Sequence, residues 1–163
     1  MSRVRKDSDR ASRRPAAREL GPVLNFMQRL WAVVHELQSI SKRMDARLGI
    51  TGPQRLVVRI LGRRPGLSAG ELAAVMHLHP STLTGVLRRL EARTLVERRV
   101  DPGDARRVLL HLTASGKRLD QKRSGTVEDG VERALARVSR RQATTASEAL
   151  HILMEELRET TDL

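Results

Sequence analysis

Apolar positions along the chain change their period twice, from helical to alternating and back. From Pro22 to Leu48 the residues Leu30, Val34, Leu37, Ser41, Met44 and Leu48 recur at alternating spacings of four and three. That is one narrow stripe on a helix, of the width that suits a partner helix. Gly49 is a suitable residue to end it. Three later starts place a Ser or Thr three residues before a Gln or Glu: Thr51 with Gln54, Ser68 with Glu71, and Ser139 with Gln142. In each, hydroxyl and N3 side chain are expected to satisfy one another's backbone amides. The apolar sets that follow are Leu56, Val57, Ile60 and Leu61; Leu72, Val75 and Met76; and Ala146, Leu150, Leu153 and Leu157. A further helix is expected from about Pro80 to Arg93, Pro being favoured in the first turn, although His79 is a poor cap.

The period then shortens to two. Leu95 to Val100 and Arg107 to Leu112 read as strands around the turn Asp101-Pro102-Gly103-Asp104, with Val108, Leu110 and Leu112 facing inward. From Thr113 to about Val138 helical spacing returns, with Leu119, Val127, Val131, Leu135 and Val138 broadly on one side. Gly116, Gly125 and Gly130 each lower the helix propensity by ~1 kcal/mol relative to Ala, and a kink is expected near Gly125.

Charge sharpens this outline once it is located. The formal net charge is +12, and the excess is +4 in residues 1 to 19, +2 in 20 to 50, +6 in 51 to 113 and zero in 114 to 163. Positive charge therefore gathers on the first segment, which reads as a disordered basic arm, and on the segment holding the hairpin, as expected for contact with a polyanion. Phe26 and Trp31 are the aromatic residues, too few for a protein that stacks bases on aromatic side chains, so double-stranded DNA is the favoured polyanion. With no Cys, disulfides, zinc–thiolate sites and thiol chemistry are excluded. Neither an apolar leader nor a run of ~18 apolar residues is present, so a cytoplasmic protein without a membrane span is expected.

Turning residues 80 to 93 by roughly 100° per residue places Leu83, Val86, Leu87 and Leu90 on one face and Ser81, Thr84, Gly85 and Arg88 opposite, with Thr82 and Arg89 on the flanks. The polar face can enter a major groove. Arg88 suits a guanine edge, while Ser81, Thr82 and Arg89 suit phosphates. At the hairpin, Asp104 is expected to pair with Arg106 and aim it into a minor groove, with Arg98, Arg99 and Arg107 near phosphates. The plainer alternatives are a solvated amphipathic helix and an ordinary turn salt bridge.

Several stretches together resemble the MarR (multiple antibiotic resistance regulator) family. They are Arg47-Leu48-Gly49-Ile50-Thr51, Ser68-x-x-Glu71-Leu72-Ala73, Pro80-Ser81-Thr82-Leu83-Thr84, Leu90-Glu91-x-Arg93-x-Leu95-Val96-Glu97-Arg98, and Asp104-x-Arg106-x-x-x-Leu110-x-Leu112-Thr113. The resemblance covers roughly residues 22 to 160. It implies a mainly α fold with a small β-hairpin wing: a winged helix-turn-helix lobe at 51–113 within one domain, 20–163, whose dimerisation helices are 22–48 and 114–160. It further implies a homodimeric, ligand-responsive repressor on a pseudo-palindromic DNA site. Relatives bind small aromatic or anionic effectors where dimerisation helices meet the DNA-binding lobe, which makes Trp31 and His35 candidate pocket residues; the alternative is a core Trp beside a hydrogen-bonded His. Two departures from the family pattern are Thr94, where Gly is usual, and Gly85, where a larger side chain is common.

Other readings are weaker. His77 and His79 have chelate spacing but no evident third ligand, so no metal or cofactor is expected. A sequence-neutral architectural DNA protein would also explain the charge. No constellation of Ser, His and Asp or of metal-binding carboxylates suggests an enzyme.

Overall fold

The computed structural model describes residues 20–160; the basic arm expected at 1–19 lies outside them. The element order is α1 (Gly21–Leu48), α2 (Gly52–Arg63), α3 (Ala69–Val75), α4 (Pro80–Ala92), β1 (Val96–Asp101), β2 (Asp104–Leu112), α5 (Ala114–Asp120), α6 (Val127–Leu135) and α7 (Arg140–Glu159). The chain divides into two compact units with the boundary inside α1, one ending at Glu36 and the other beginning at Leu37. In the first, the apolar residues Val23, Leu24, Phe26 and Trp31 are exposed, Trp31 by 65%. The core belongs to the second.

That core joins Val57, Val58 and Leu61 of α2 to Leu72 of α3, Leu83, Leu87 and Leu90 of α4, and Leu110 of β2, none more than 2% exposed. Burying such a side chain fully contributes about 1.5–3 kcal/mol, so these residues hold the lobe's elements together. The expected inner face of α4 is borne out, since Leu83, Val86, Leu87 and Leu90 are its buried residues. Elsewhere periodicity overreached. Leu56, Val75 and Val108 are exposed, and Val58 is buried where the pattern favoured Leu56. Val108 instead stands opposite Val100 on the open part of the hairpin.

The capped starts form much as expected. Ser68 and Ser139 accept from the amides of Glu71 and Gln142, whose side chains accept in return from the Ser amides. At Thr51 the return bond from its amide to Gln54 Oε1 is 3.0 Å. His79 corrects its reading as a poor cap, because Nδ1 of its ring accepts from the Ser81 amide at 3.3 Å.

The helix expected from Thr113 to Val138 is interrupted rather than kinked. Gly125 has φ +73, and Thr126 caps a new helix by accepting from the Asp129 amide. A left-handed residue followed by a cap breaks the i to i−4 ladder, which is more than a Gly of low propensity would do.

Two helix ends use a left-handed residue that is not Gly. After α3, His77 has φ +52, with Leu78 N–H donating to Ala73 O and His77 N–H to Ala74 O. After α4, Thr94 has φ +52, with Leu95 N–H donating to Leu90 O and Thr94 N–H to Glu91 O. This paired pattern ordinarily ends on Gly. A β-branched residue is strained there, so Thr94→Gly is expected to raise the free energy of unfolding by about 1 kcal/mol. Urea titration measures it, and an unchanged or lower midpoint would contradict the strain.

Candidate nucleic-acid interface

Four residues of α4 follow from its buried face: Ser81, Thr84, Arg88 and Arg89 are exposed, as is Thr82. Thr84 Oγ1 donates to Pro80 O at 2.9 Å, which holds it close to the helix, and Ser81 Oγ lies 2.7 Å from His79 Nδ1. Nothing lies within 4 Å of a Cβ built on Gly85, so the middle of this face is open.

The hairpin pairs β1 and β2 antiparallel, Val100 with Val108 and then Asp101 with Asp104. Ala105, Arg106 and Arg107 are thereby left out of the pairing. A bulge of this kind re-aims side chains away from the ladder, and it puts Arg106 and Arg107 at the exposed end of the wing. Asp104 does not act as expected: its Oδ1 accepts from the backbone amide of Arg106 at 3.0 Å, so it shapes the turn and leaves the guanidinium unpaired among the described residues. A short carboxylate two residues away reaches an amide more easily than the end of an extended arginine. Asp101 does the same for Gly103 at 2.9 Å.

The remaining wing arginines are paired. Arg98 Nε donates to Glu91 Oε1 at 2.7 Å, Arg99 Nε to Glu97 Oε1 at 3.0 Å, and Arg107 Nη2 to Glu71 Oε1 at 3.2 Å. The Glu71 carboxyl is held below the usual carboxylate range, first by the Ser68 amide and hydroxyl at the α3 cap and then by Arg107.

A larger polar assembly escaped the sequence reading. Arg55, 1% exposed in the first turn of α2, donates through Nε to Glu128 Oε1 at 2.7 Å, through Nη1 to Leu119 O at 2.6 Å and through Nη2 to Lys122 O at 2.5 Å. Arg59 adds a bond to Asp120 Oδ1 at 2.5 Å. Burial opposes the charge on Glu128, yet hydrogen bonds from Arg55 and nearby backbone outweigh it and lower the carboxyl's pKa. The assembly ties α2 of the helix-turn-helix to the end of α5 and the start of α6. Its partners stand 61 to 73 residues apart, beyond any local pattern.

Beside it opens a cavity of about 770 Å³, with Leu37, Leu56, Met76, Leu78 and Val131 forming apolar walls and Arg55, Arg59 and Glu128 at its polar edge. Trp31 and His35, the expected pocket residues, are exposed residues of α1 in the other unit. His77 and His79 do not converge on a third ligand; the His77 ring lies 6.4 Å from that of His151, and no group of three or more metal-binding side chains occurs among the described residues. Among the same residues, no helix is long and apolar enough to cross a membrane.

The sequence profile of the MarR family matches residues 50–108, which hold the core lobe, α4 and most of the wing. An HTH-type transcriptional repressor of Mycobacterium tuberculosis is 35% identical over 92 residues, covering 56% of this chain; the chain spans 66% of that relative's length. The transcriptional regulator HosA of Escherichia coli is 33% identical over 90 residues, covering 52% of this chain and 67% of its own. Among solved structures, the S. aureus MepR–DNA complex aligns with a TM-score of 0.66 at 22% identity, over 82% of this chain and 97% of MepR, which supports the fold. With the lobe matched in sequence and the arrangement of helices and wing matched in space, the chain belongs to the MarR family.

Proposed function

We propose that this chain is a DNA-binding transcriptional regulator acting in the cytoplasm as a homodimer. The observation that carries the reading is the division of α4, whose four apolar residues are buried while Ser81, Thr82, Thr84, Arg88 and Arg89 remain exposed beside an arginine-bearing wing. On this reading α4 enters the major groove, Arg88 reads a base edge, and Ser81, Thr82 and Arg89 hold phosphates. Arg106, exposed in the bulge, enters the minor groove, with Asp104 shaping its turn. Helices 22–48 and 114–160 form the dimer, which would cover the apolar residues now exposed on α1 and on α7, where Leu150 and Leu157 are 57% and 55% exposed. Two-fold symmetry then requires a pseudo-palindromic site with half-sites ~34 Å apart.

The names of the relatives favour repression, and the cavity beside Arg55 favours ligand control. Its walls suit an apolar or aromatic effector better than a strongly anionic one, because both guanidiniums at its edge already face carboxylates. An effector acts only by binding the DNA-competent and incompetent arrangements unequally.

Selection of bound fragments from random duplex DNA tests the reading. A pseudo-palindrome is expected, and Arg106→Ala should weaken binding to it by more than about tenfold, the loss of one good groove contact. Uniform recovery of all sequences would favour a sequence-neutral architectural protein, and unchanged affinity would remove Arg106 from the minor groove.

A further inference from the structure

The arginines on the elements that face DNA fall into two groups. Arg107, Arg98 and Arg99 are each neutralised by a carboxylate of the chain, Glu71, Glu91 and Glu97 respectively. Arg88, Arg89 and Arg106 form no ion pair among the described residues, and their side chains are exposed. The three acids come from three different elements, α3, α4 and β1, and all three converge on wing arginines. Side-chain exposures from 31% to 61% leave every pair free to open.

Exposed pairs of this kind contribute little to stability. Their effect on DNA binding is different. A phosphate is the same at every sequence, so an arginine that neutralises one strengthens binding everywhere and steepens its salt dependence. A carboxylate held against that arginine offers the same acceptor geometry as the phosphate and cancels its charge within a Debye length. We propose that Glu71, Glu91 and Glu97 determine specificity by occupying Arg107, Arg98 and Arg99, which suppresses sequence-neutral binding and leaves the groove contacts of Arg88 and Arg106 to dominate. This rests on the DNA-contact reading above. It also gives the excess of +6 in residues 51 to 113 an uneven distribution: part of the positive charge is free, and part is held in reserve.

Glutamine variants separate charge from structure. Glu71→Gln keeps a side chain that can complete the cap with Ser68, since Gln serves at that position as well as Glu. The full chain with Glu71→Gln, Glu91→Gln and Glu97→Gln is titrated against a random-sequence duplex by fluorescence anisotropy at several salt concentrations, with melting curves confirming the fold. The slope of log affinity against log salt is expected to steepen by about 0.9 for each pair removed, which tightens binding up to about eightfold per pair at 0.1 M salt. In an Arg107→Ala background, Glu71→Gln should steepen the slope by less than half as much, because the arginine it held is gone. An unchanged slope would overturn the proposal, and so would weaker binding, the outcome if the carboxylates merely position their arginines for phosphate. If the unaltered chain bound no duplex in a salt-dependent way, the DNA-contact reading would fall first and the proposal with it.

Discussion

Replacing Arg55 by alanine is expected to lower the free energy of unfolding by about 3 kcal/mol, the lower end of the cost of removing one partner from a buried ion pair, because Glu128 is only part-buried and also faces Arg59. Arg55 is 1% exposed and its three guanidinium nitrogens are all engaged. Two of the acceptors, Leu119 O and Lys122 O, lie at and just beyond the last turn of α5, where helix carbonyls lack partners within the helix. Alanine would leave Lys122 O without its donor, Leu119 O with the Lys122 amide, and part-buried Glu128 with the more distant Arg59 Nε at 3.5 Å. Lysine should recover little, because a single ammonium cannot span acceptors that a planar fork reaches from three nitrogens. Adding Glu128→Gln to Arg55→Met should restore part of the loss by removing a part-buried charge that has lost its nearer partner. Urea unfolding at fixed protein concentration reads all of these, and a loss below about 1 kcal/mol for Arg55→Ala would refute the assembly's role.

The same assembly sets an acid limit. The pKa of Glu128 is lower in the folded chain than in the unfolded one. Its contribution is therefore complete above the ordinary carboxylate range and is lost as pH falls through the lower, folded value. The difference between Arg55→Ala and the unaltered chain should accordingly be larger at neutral pH than in acid. A difference constant across that range would mean that the carboxylate is not coupled to Arg55.

The second large effect belongs to Gly116. A Cβ at this position would lie 2.1 Å from Leu95 O and 3.3 Å from Leu112 Cβ. Leu95 O already accepts from Thr113 N–H at 3.2 Å, so the carbonyl cannot turn aside without losing that bond. Gly116→Ala is expected to cost about 3 kcal/mol, the upper end for overpacking, despite the ~1 kcal/mol that Ala would contribute to helix propensity. For a chain of this size the melting temperature should fall by roughly 6–12 °C. Gly130→Ala provides the contrast: nothing lies within 4 Å of its Cβ, and a neutral or stabilising change is expected. Equal responses from the two glycines would show that packing against Leu95 is not what requires Gly116.

The two glycines look alike in sequence, each an interruption in a helical pattern, and only their surroundings separate them. The same limit runs through the site. The outward residues of α4 were legible because four buried leucines and valines at helical spacing leave one possible outer face. Arg55 was illegible because it sits between residues of ordinary helical pattern and its partners lie on α5, α6 and the segment joining them. Asp104 was recognised as belonging with Arg106, but which atom it would bind depended on the bulge. The break at Gly125 had a signal, Thr126 followed three residues later by Asp129, that the run of apolar residues through Val138 outweighed.

The sequence by itself determined the capped starts at Thr51, Ser68 and Ser139, the inner face of α4, the place of the hairpin and the segment where positive charge gathers. Those features depend on period and on hydrogen bonds between residues a few positions apart, which the order of residues specifies directly. Only the tertiary structure decided that Arg55 is buried and satisfied, that Gly116 is needed for space, and that Arg98, Arg99 and Arg107 carry their own counter-charges while Arg88, Arg89 and Arg106 are exposed without an ion pair among the described residues. Each of these depends on side chains brought together from separate elements, where burial and distance set the energy and chain spacing carries no measure of either.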